Sequence, residues 1–400
     1  MRGSVVKRGD GYSVIVELER DPVTNRRRQK WHSGYRNKRD AERALSDIVA
    51  SVHSGTYLEP TKQALTNFVT DWLAAIEPTI RPSTHHSYAR NLRLHVLPRF
   101  GSVQLRRIDA GMLNALYAAL LADGKLTTAN GGSGGLSPRS VRYIHTIVHR
   151  AFRDDVRWGR IARNPADAAD PPRASAVVRP TMTTWTADQV RTFLDHTAEH
   201  RLHAAYLLLA TTGMRRGECL GLRWSDLDLT TGRASISQTV IMVHHDIQIG
   251  APKTARGRRT VALDPGTVLV LREHRQRQLA ERLLMGAGFT DHGLVFCRPD
   301  GGPLHPERFS RTFSRESAHA GLPAIRLHDL RHTWATLALS AGEHPKIVQE
   351  RLGHANVSIT LDVYSHVSEG LHSDAASRVA KIIFGPVSTA LANTSGRNNE

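Results

Sequence analysis

The chain has very few cysteines and no long apolar segment. Only Cys219 and Cys297 occur in 400 residues, and they lie far apart in the sequence. No disulfide framework is expected, and a reducing, cytoplasmic compartment is favoured. No apolar run approaches roughly 18 residues, which argues against a membrane-spanning helix. The opening residues, MRGSVVKRGDGY, lack the apolar stretch of a secretory signal.

Acidic residues are too few to balance the basic ones. Lys and Arg number 54 against 37 Asp and Glu, which gives a formal net charge of +17 and an isoelectric point near 10.5. Such an excess favours a polyanionic partner, most simply nucleic acid, although a basic protein without such a partner could have the same composition. The length predicts two or three domains.

Residues 1–60 predict a small α+β unit. GYSVIVEL reads as a strand with alternate apolar residues on one face, and KRDAERALSDIVASVHSG reads as a helix that stops before Gly55. Between them, RRRQKWHSG reads as a strongly basic strand. This strand could lie on DNA or could be a solvated edge protected by its charge, and the sequence supports both equally. The candidate DNA-binding residues are Arg26, Arg27, Arg28, Lys30 and Trp31.

Residues 63–170 predict an all-helical domain. Four amphipathic segments occur, interrupted by the polar stretch TTANGGSGGLS, which we expect to be flexible. Prolines without apolar periodicity then indicate an interdomain linker over 171–183. Residues 184–384 mix helices with two strands, RASISQTVIMV and RRTVALD, that flank a turn. We expect residues 385–400 to be a disordered tail.

Several separated residues could together hold a phosphodiester. Arginine pairs with phosphate oxygens bidentately, and fixed cations stabilise the charge that grows there in the transition state. A phenol in such a cationic site can serve as nucleophile, and a lysine can protonate the leaving oxygen, so no metal is required. The candidate residues for such a site are Arg215, Lys253, His328, Arg331, His354 and Tyr364.

Each of these residues also has an ordinary structural interpretation. Lys253 lies in a basic run, Arg331 could pair with Asp329 or Glu350, and Tyr364 could be a core residue. His328 and His332, at positions i and i+4, could bind a metal, but the stretch lacks the Glu of H-E-x-x-H and an obvious third ligand. The residues alone therefore indicate a DNA-binding protein that could transfer phosphoryl groups.

Four segments in a fixed order make the sequence resemble the tyrosine recombinases, in particular integrases of phages and mobile elements. They are ATTGMRRGECLGLRWSDLD, PKTARGRRTVAL, LHDLRHTWATLALSAG and VQERLGHANVSITLDVYSHV. The resemblance implies that Arg215 is the first catalytic arginine, Lys253 the general acid and Tyr364 the nucleophile. His328 and Arg331 correspond to the H-x-x-R pair, and His354 to the last histidine of the pocket. Glu218 matches an acidic residue that orients the first arginine.

The resemblance covers the whole chain and implies a multidomain fold. Residues 1–60 would be an arm-binding module of three strands and a helix, 63–170 an all-α core-binding domain, and 184–384 a mainly α (α+β) catalytic domain. The implied activity is site-specific recombination of double-stranded attachment sites through a 3′-phosphotyrosyl intermediate, by a homo-tetramer in a bacterial cell, without a cofactor or a membrane. DNA-bending and directionality factors are further possible partners.

Two other functions remain open at this stage. A type IB-like topoisomerase would use the same pocket without exchanging DNA partners, and a catalytically silent regulator would only bind DNA. The arm-like module disfavours the first, and the complete set of six pocket residues disfavours the second. A segment near the end, SDAASRVAKIIFG, predicts an amphipathic helix that could dock on a neighbouring protomer or pack on its own domain.

Overall fold

The structure is a computed structural model. It describes residues 3–18, 25–53, 63–125, 134–176, 183–243, 246–252, 257–353, 379 and 382–383. The described chain forms two compact units, residues 1–179 and residues 180–400. The predicted flexible loop and the predicted amphipathic helix SDAASRVAKIIFG lie largely outside the described residues, the linker does so over 177–182, and the tail does so entirely. Lys253, His354 and Tyr364 also lie outside the described residues. In the described part of the chain no helix has the length and apolarity needed to cross a membrane.

The first unit begins with an antiparallel sheet in the order β1-β2-β3, formed by β1 (Gly3–Arg8), β2 (Gly11–Leu18) and β3 (Arg28–Tyr35). Helix α1 (Lys38–His53) follows it. Val14 and Val16 of β2 are fully buried with Ala41 of α1, as the alternating pattern predicts. The three-stranded sheet with one helix agrees with the implied module; β1 was not evident from its own residues, because GSVVKR has only two adjacent apolar side chains.

The basic strand β3 presents different residues on the two faces of this sheet. Trp31 lies opposite Ile15, whereas Lys30 lies opposite the buried Val16, and side chains directly opposite each other share a face. Trp31 is therefore on the face away from α1, where 48% of it is exposed. The guanidinium of Arg8 lies over its ring, 5.9 Å from the centroid.

The rest of the first unit is helical. Its main helices are α2 (Leu65–Ile76), α3 (Pro82–Asn91), α4 (Leu97–Phe100), α5 (Ala110–Asp123) and α6 (Pro138–Arg157). Between α3 and α4 a π-helical turn, Leu92–Val96, replaces the continuous helix that the pattern predicts. Pro98 accounts for the change, because proline has no N–H to continue the α-helical ladder. Trp72 donates to the buried Asp154 at 3.1 Å, which joins α2 to α6 inside the core.

The second unit combines helices with short strands. Its helices are α7 (Ala187–His196), α8 (His203–Thr212), α9 (Arg216–Leu220), α10 (Pro265–Met285), α11 (Pro306–His319), α12 (Asp329–Ser340) and α13 (Pro345–Leu352). One sheet has the order β4-β5-β8, from β4 (Leu227–Asp228), β5 (Arg233–Ile236) and β8 (Arg259–Ala262). A separate hairpin pairs β6 (Thr239–Val243) with β7 (Asp246–Gly250).

Two details of the predicted strands are wrong. RASISQTVIMV is not one strand, because β5 and β6 belong to different sheets. Ser237 donates to Asp226 and Gln238 donates to the Gly221 carbonyl, and these side-chain bonds turn the chain between the sheets. The following segment is not entirely a turn, since its first residues form β7 opposite β6.

Candidate active site

The first arginine of the site is positioned by a glycine turn. Helix α8 ends at Gly213, whose φ of +65° is unfavourable for other residues. A Cβ atom there would also lie only 2.6 Å from Leu352. Two residues later, Arg215 is the N-cap residue of α9. It therefore lies just before this helix, which we expected to contain it. The glycine therefore sets the direction in which Arg215 leaves α8.

Glu218 is bonded to both the backbone and the side chain of this arginine. Its carboxylate accepts from the Arg215 backbone N–H at 2.9 Å and from the Arg215 guanidinium at 2.7 Å. It also accepts two hydrogen bonds from Arg259, at 2.9 and 3.1 Å. Burial alone would raise the pKa of Glu218, but the hydrogen bonds and charges of Arg259 and Arg215 outweigh it and hold the pKa below its ordinary value.

Arg331 is the most deeply buried cation of the site, with only 3% of the residue exposed. It donates to the Gly213 carbonyl at 2.8 Å and to the Leu352 carbonyl at 2.6 Å. The carboxylates near it in the sequence are engaged elsewhere, since Asp329 pairs with Arg326 and Glu350 with Lys346. Burial, helped by the charge of Arg215, lowers the pKa of Arg331 to about 9, so the guanidinium stays charged at neutral pH.

Three consecutive carbonyls at the end of α13 join the arginines together. The Arg351 carbonyl accepts from Arg259 at 2.6 Å, and the Gly353 carbonyl accepts from Arg215 at 3.1 Å. The Leu352 carbonyl between them takes the bond from Arg331. The last carbonyls of a helix have no partner within it and carry its negative dipole end. The end of α13 therefore gathers three guanidiniums that would otherwise repel one another.

His328 stands directly before α12 and remains partly open to solvent. Desolvation by the surrounding protein, together with His332 and the Arg331 charge, lowers the pKa of His328 to about 4. The ring is therefore neutral near pH 7 and can donate one hydrogen bond. His332 packs edge-on against it, with the two ring centroids 5.2 Å apart.

The metal interpretation of these two histidines finds no support among the residues that the structure describes. In that part of the chain no third His, Cys, Asp or Glu ligand atom joins His328 and His332.

An open pocket of about 660 Å³ adjoins Arg215 and His328. Its other walls include Arg216, Ser310 and Arg326. Arg216 donates to the Ser310 hydroxyl at 2.8 Å, so α11 is fastened to the start of α9. A concave, basic and solvent-accessible surface of this kind suits a phosphate group on a large ligand.

Of the six predicted pocket residues, the structure brings Arg215, His328 and Arg331 together. The other three lie outside the described residues, but residues next to two of them in the sequence are described. Strand β8 follows the segment that contains Lys253, and α13 ends at Leu352, directly before Gly353 and His354. Both elements contact the arginine cluster, β8 through the side chain of Arg259 and α13 through its last carbonyls.

Arg259 is the residue that sequence reasoning missed. In the sequence it is one of several arginines in a run that we expected to be solvated. In the structure its side chain is only 8% exposed, and it bridges Glu218 to the end of α13. The predicted strand RRTVALD contains both Arg258 and Arg259, so a place in this strand could have separated Arg259 from Arg256 in the turn but not from Arg258.

Family comparisons match three parts of the chain. Residues 183–370 match the phage integrase family. Residues 4–52 match an arm DNA-binding domain, and residues 64–117 match the N-terminal SAM-like domain of phage integrases. Each match coincides with a region of different architecture in the structure, which confirms the multidomain fold class.

Curated relatives extend over nearly the full length. A tyrosine recombinase XerC-like protein of Caldanaerobacter subterraneus is 25% identical over 380 residues, covering 90% of this chain and 94% of the relative. An integrase of Streptomyces ambofaciens is 28% identical over 379 residues, covering 89% and 92%. The integrase of the element ICEBs1 in Bacillus subtilis is 23% identical and covers 95% of this chain.

Solved structures share the fold. The integrase of transposon Tn1549, in complex with transposon right end DNA, matches with a TM-score of 0.62 at 20% identity, covering 80% of this chain and all of that one. A lambda integrase dimer bound to a core site matches with a TM-score of 0.53 at 17% identity, covering 90% and 93%.

The chain belongs to the phage integrase family of tyrosine recombinases. Its activity is that of a site-specific DNA recombinase. The arm and SAM-like domains, together with the integrase relatives, place it among the integrases of phages and other mobile elements.

Proposed function

We propose that this integrase cuts and rejoins double-stranded attachment sites through a 3′-phosphotyrosyl intermediate formed by Tyr364. The observation that supports the proposal is the set of guanidiniums fixed beside an open pocket by Glu218 and by the carbonyls of α13. Donors held in place in this way need little reorganisation to bind a phosphate, and they stabilise the transition state more than the ground state. Arg215 and Arg331 would hold the non-bridging oxygens.

We assign the remaining steps to residues that the family resemblance identifies. The Tyr364 hydroxyl gives its proton to solvent, since the surrounding cations favour the phenolate, and the phenolate oxygen attacks phosphorus while the bond from phosphorus to the 5′ oxygen breaks. Lys253 gives a proton to that leaving oxygen, neutral His328 donates a hydrogen bond to the phosphate, and His354 is assigned the same role. The phosphotyrosyl ester conserves the bond energy, so a 5′-hydroxyl of the other duplex can reverse the step without ATP.

The domain limits and the assembly are further parts of the proposal. Residues 1–60 would read arm sites, residues 63–170 and 184–384 would enclose the core site, and 171–183 would connect them. Four protomers would act on two sites, in line with the lambda integrase tetramer on a Holliday junction, whose fold this chain shares. DNA-bending and directionality factors would choose between integration and excision inside a bacterial cell.

A suicide substrate, nicked beside the cleavage site, tests the nucleophile. We expect the native protein to be trapped covalently on this DNA and Tyr364→Phe to bind it without becoming trapped. Loss of one hydroxyl leaves the volume almost unchanged, so binding is the internal control. An adduct with the Phe variant would mean that another tyrosine attacks, and no adduct with either protein would favour a silent DNA-binding regulator.

A second substrate tests the general acid. DNA with sulfur in place of the bridging 5′ oxygen releases a thiolate that needs no proton. Lys253→Ala should therefore slow cleavage of ordinary DNA much more than cleavage of the sulfur substrate, whereas Arg215→Ala should slow both. Equal losses for Lys253→Ala on the two substrates would reject its role.

Exchange of DNA partners separates a recombinase from a topoisomerase. Two differently labelled duplexes should yield joined products with the native protein, whereas a topoisomerase would only relax supercoils. Relaxation without joined products would contradict the proposal.

A further inference from the structure

Away from the phosphate pocket, two helices of the catalytic unit end side by side and bring three metal-binding groups together. His196 lies in the last turn of α7, and His319 lies in the last turn of α11, one turn beyond Glu316. One ligand atom from each of the three lies within 4.8 Å of the other two. None of these residues takes part in the arginine cluster.

The distances fit ligands of a common ion better than hydrogen bonds. Nε2 of His196 is 3.5 Å from Oε2 of Glu316, and Nδ1 of His319 is 3.7 Å from the same oxygen. A good N–H···O bond would be roughly 2.7–3.2 Å long. Around a tetrahedral zinc ion with bonds of about 2.0–2.2 Å, neighbouring ligand atoms are separated by roughly 3.3–3.5 Å.

The carboxylate is already held in an orientation suited to binding. Arg315 donates to Oε1 of Glu316 at 3.0 Å, which leaves Oε2 facing both imidazoles. Ligating carboxylates are commonly fixed in this way by a second hydrogen bond. Partial burial works against ionisation of Glu316, but Arg315 outweighs it and holds the pKa below its ordinary value, so the group is a carboxylate at neutral pH.

Packing beneath the cluster fixes the two helices that carry it. Phe193 of α7 and Phe313 of α11 meet edge to face at 5.0 Å, and both contact Trp185. The helical turns that carry the three ligands therefore rest on a rigid aromatic core. Both are also carboxyl-terminal turns, where a helix carries negative charge that favours a cation.

We propose that His196, Glu316 and His319 form a zinc-binding site, with water as the fourth ligand, that ties the end of α7 to the end of α11. Two imidazoles and one carboxylate suit Zn²⁺ rather than Mg²⁺ or Ca²⁺, which prefer oxygen ligands. The alternative is a pair of surface ion pairs between protonated histidines and Glu316, which would contribute little to stability.

Metal titration of the full-length protein distinguishes these alternatives. We expect calorimetry with zinc chloride at pH 7.5 to show one site above the background of other histidines, and Co²⁺ to give the visible absorption of a four-coordinate ion. His196→Gln and His319→Gln, singly and together, should weaken this site at least about tenfold. His292→Gln, which alters an exposed histidine outside the cluster, is the matched control.

Thermal unfolding provides the second measurement and checks that the variants fold. Zinc should raise the melting temperature of the native protein and of His292→Gln, but not that of the double variant, and a chelator should reverse the shift. The proposal is overturned if a folded double variant retains the same zinc stoichiometry, or if the native protein shows no site and no Co²⁺ absorption. Glu316→Gln, which keeps the side-chain shape, should also abolish the Co²⁺ signal.

Discussion

The arginines of the catalytic pocket and those of the arm module carry the same charge in opposite surroundings. Arg331 is almost fully buried and has two backbone carbonyls as partners, whereas Arg26 and Arg27 are exposed before strand β3. A buried guanidinium with fixed partners defines the position of one phosphate. Exposed guanidiniums can adjust to many phosphates and contribute affinity through counterion release. The two regions should therefore respond differently to substitution and to salt.

The largest difference should come from removing the buried charge. Arg331→Met should slow cleavage of a suicide substrate by about 10²–10³-fold, because a fixed donor to the transition-state charge is lost. DNA affinity should change much less. Arg191→Met, which removes an exposed arginine of α7 that pairs with Asp188, is the control and should stay close to the native rate. A native rate for Arg331→Met, measured in single turnovers, would contradict the assigned role.

The connection between Arg259 and Glu218 should have an intermediate effect. Breaking a buried ion pair lowers the free energy of unfolding by about 3–5 kcal/mol. Glu218→Gln and Arg259→Met should therefore each lower the free energy of unfolding, measured in urea, by an amount approaching that range. Each should also slow cleavage, because Arg215 loses its orientation. If the two residues act as one unit, the double variant should be no slower than the slower single variant. Fully additive losses in rate would show that they act independently.

Changes in the arm module should affect salt dependence rather than chemistry. Arg26→Ala with Arg27→Ala should flatten the slope of log affinity against log salt on DNA with arm sites, by about 0.9 for each phosphate that the variant no longer neutralises. Cleavage of short core-site DNA should stay the same. Arg43→Ala, on the exposed side of α1, is the matched control. Equal losses on both DNAs would refute a separate arm site.

The smallest effect concerns pH and His328. Its folded pKa of about 4 lies below the ordinary 6.5, so the unfolded chain takes up this proton first as the pH falls. The contribution of His328 to the free energy of unfolding is therefore fully present above about pH 6.5, and it is lost as the pH falls from about 6.5 to about 4. His328→Gln should lose less stability over that window, as denaturant unfolding at several pH values can measure. An identical pH profile for both proteins would exclude the shift.

Local patterns in the sequence predicted most elements of the fold. The strand Gly11–Leu18 and the helix that begins at Lys38 follow directly from apolar spacing. The break between β5 and β6 could not be predicted, because it depends on bonds from Ser237 and Gln238 to residues far from them in the sequence. Periodicity describes one element at a time, whereas these bonds exist only once the elements have packed.

The same limit applies to the sites. Arg215, His328 and Arg331 could be selected because each stands in a distinctive motif, and the structure brings them together. Arg259 gains its function only from Glu218 and the carbonyl of Arg351, neither of which is near it in the sequence. His196 and His319 likewise meet only because α7 and α11 pack through Phe193 and Phe313. Residues of ordinary appearance become informative when their partners are known.

The end of α13 has a consequence for the protein without DNA. Its three carbonyls accept hydrogen bonds from the three guanidiniums and offset part of their mutual repulsion, so groups of the protein itself hold the cluster together. A phosphate that enters needs to share or displace only weak, neutral acceptors, which keeps the reorganisation energy of binding low.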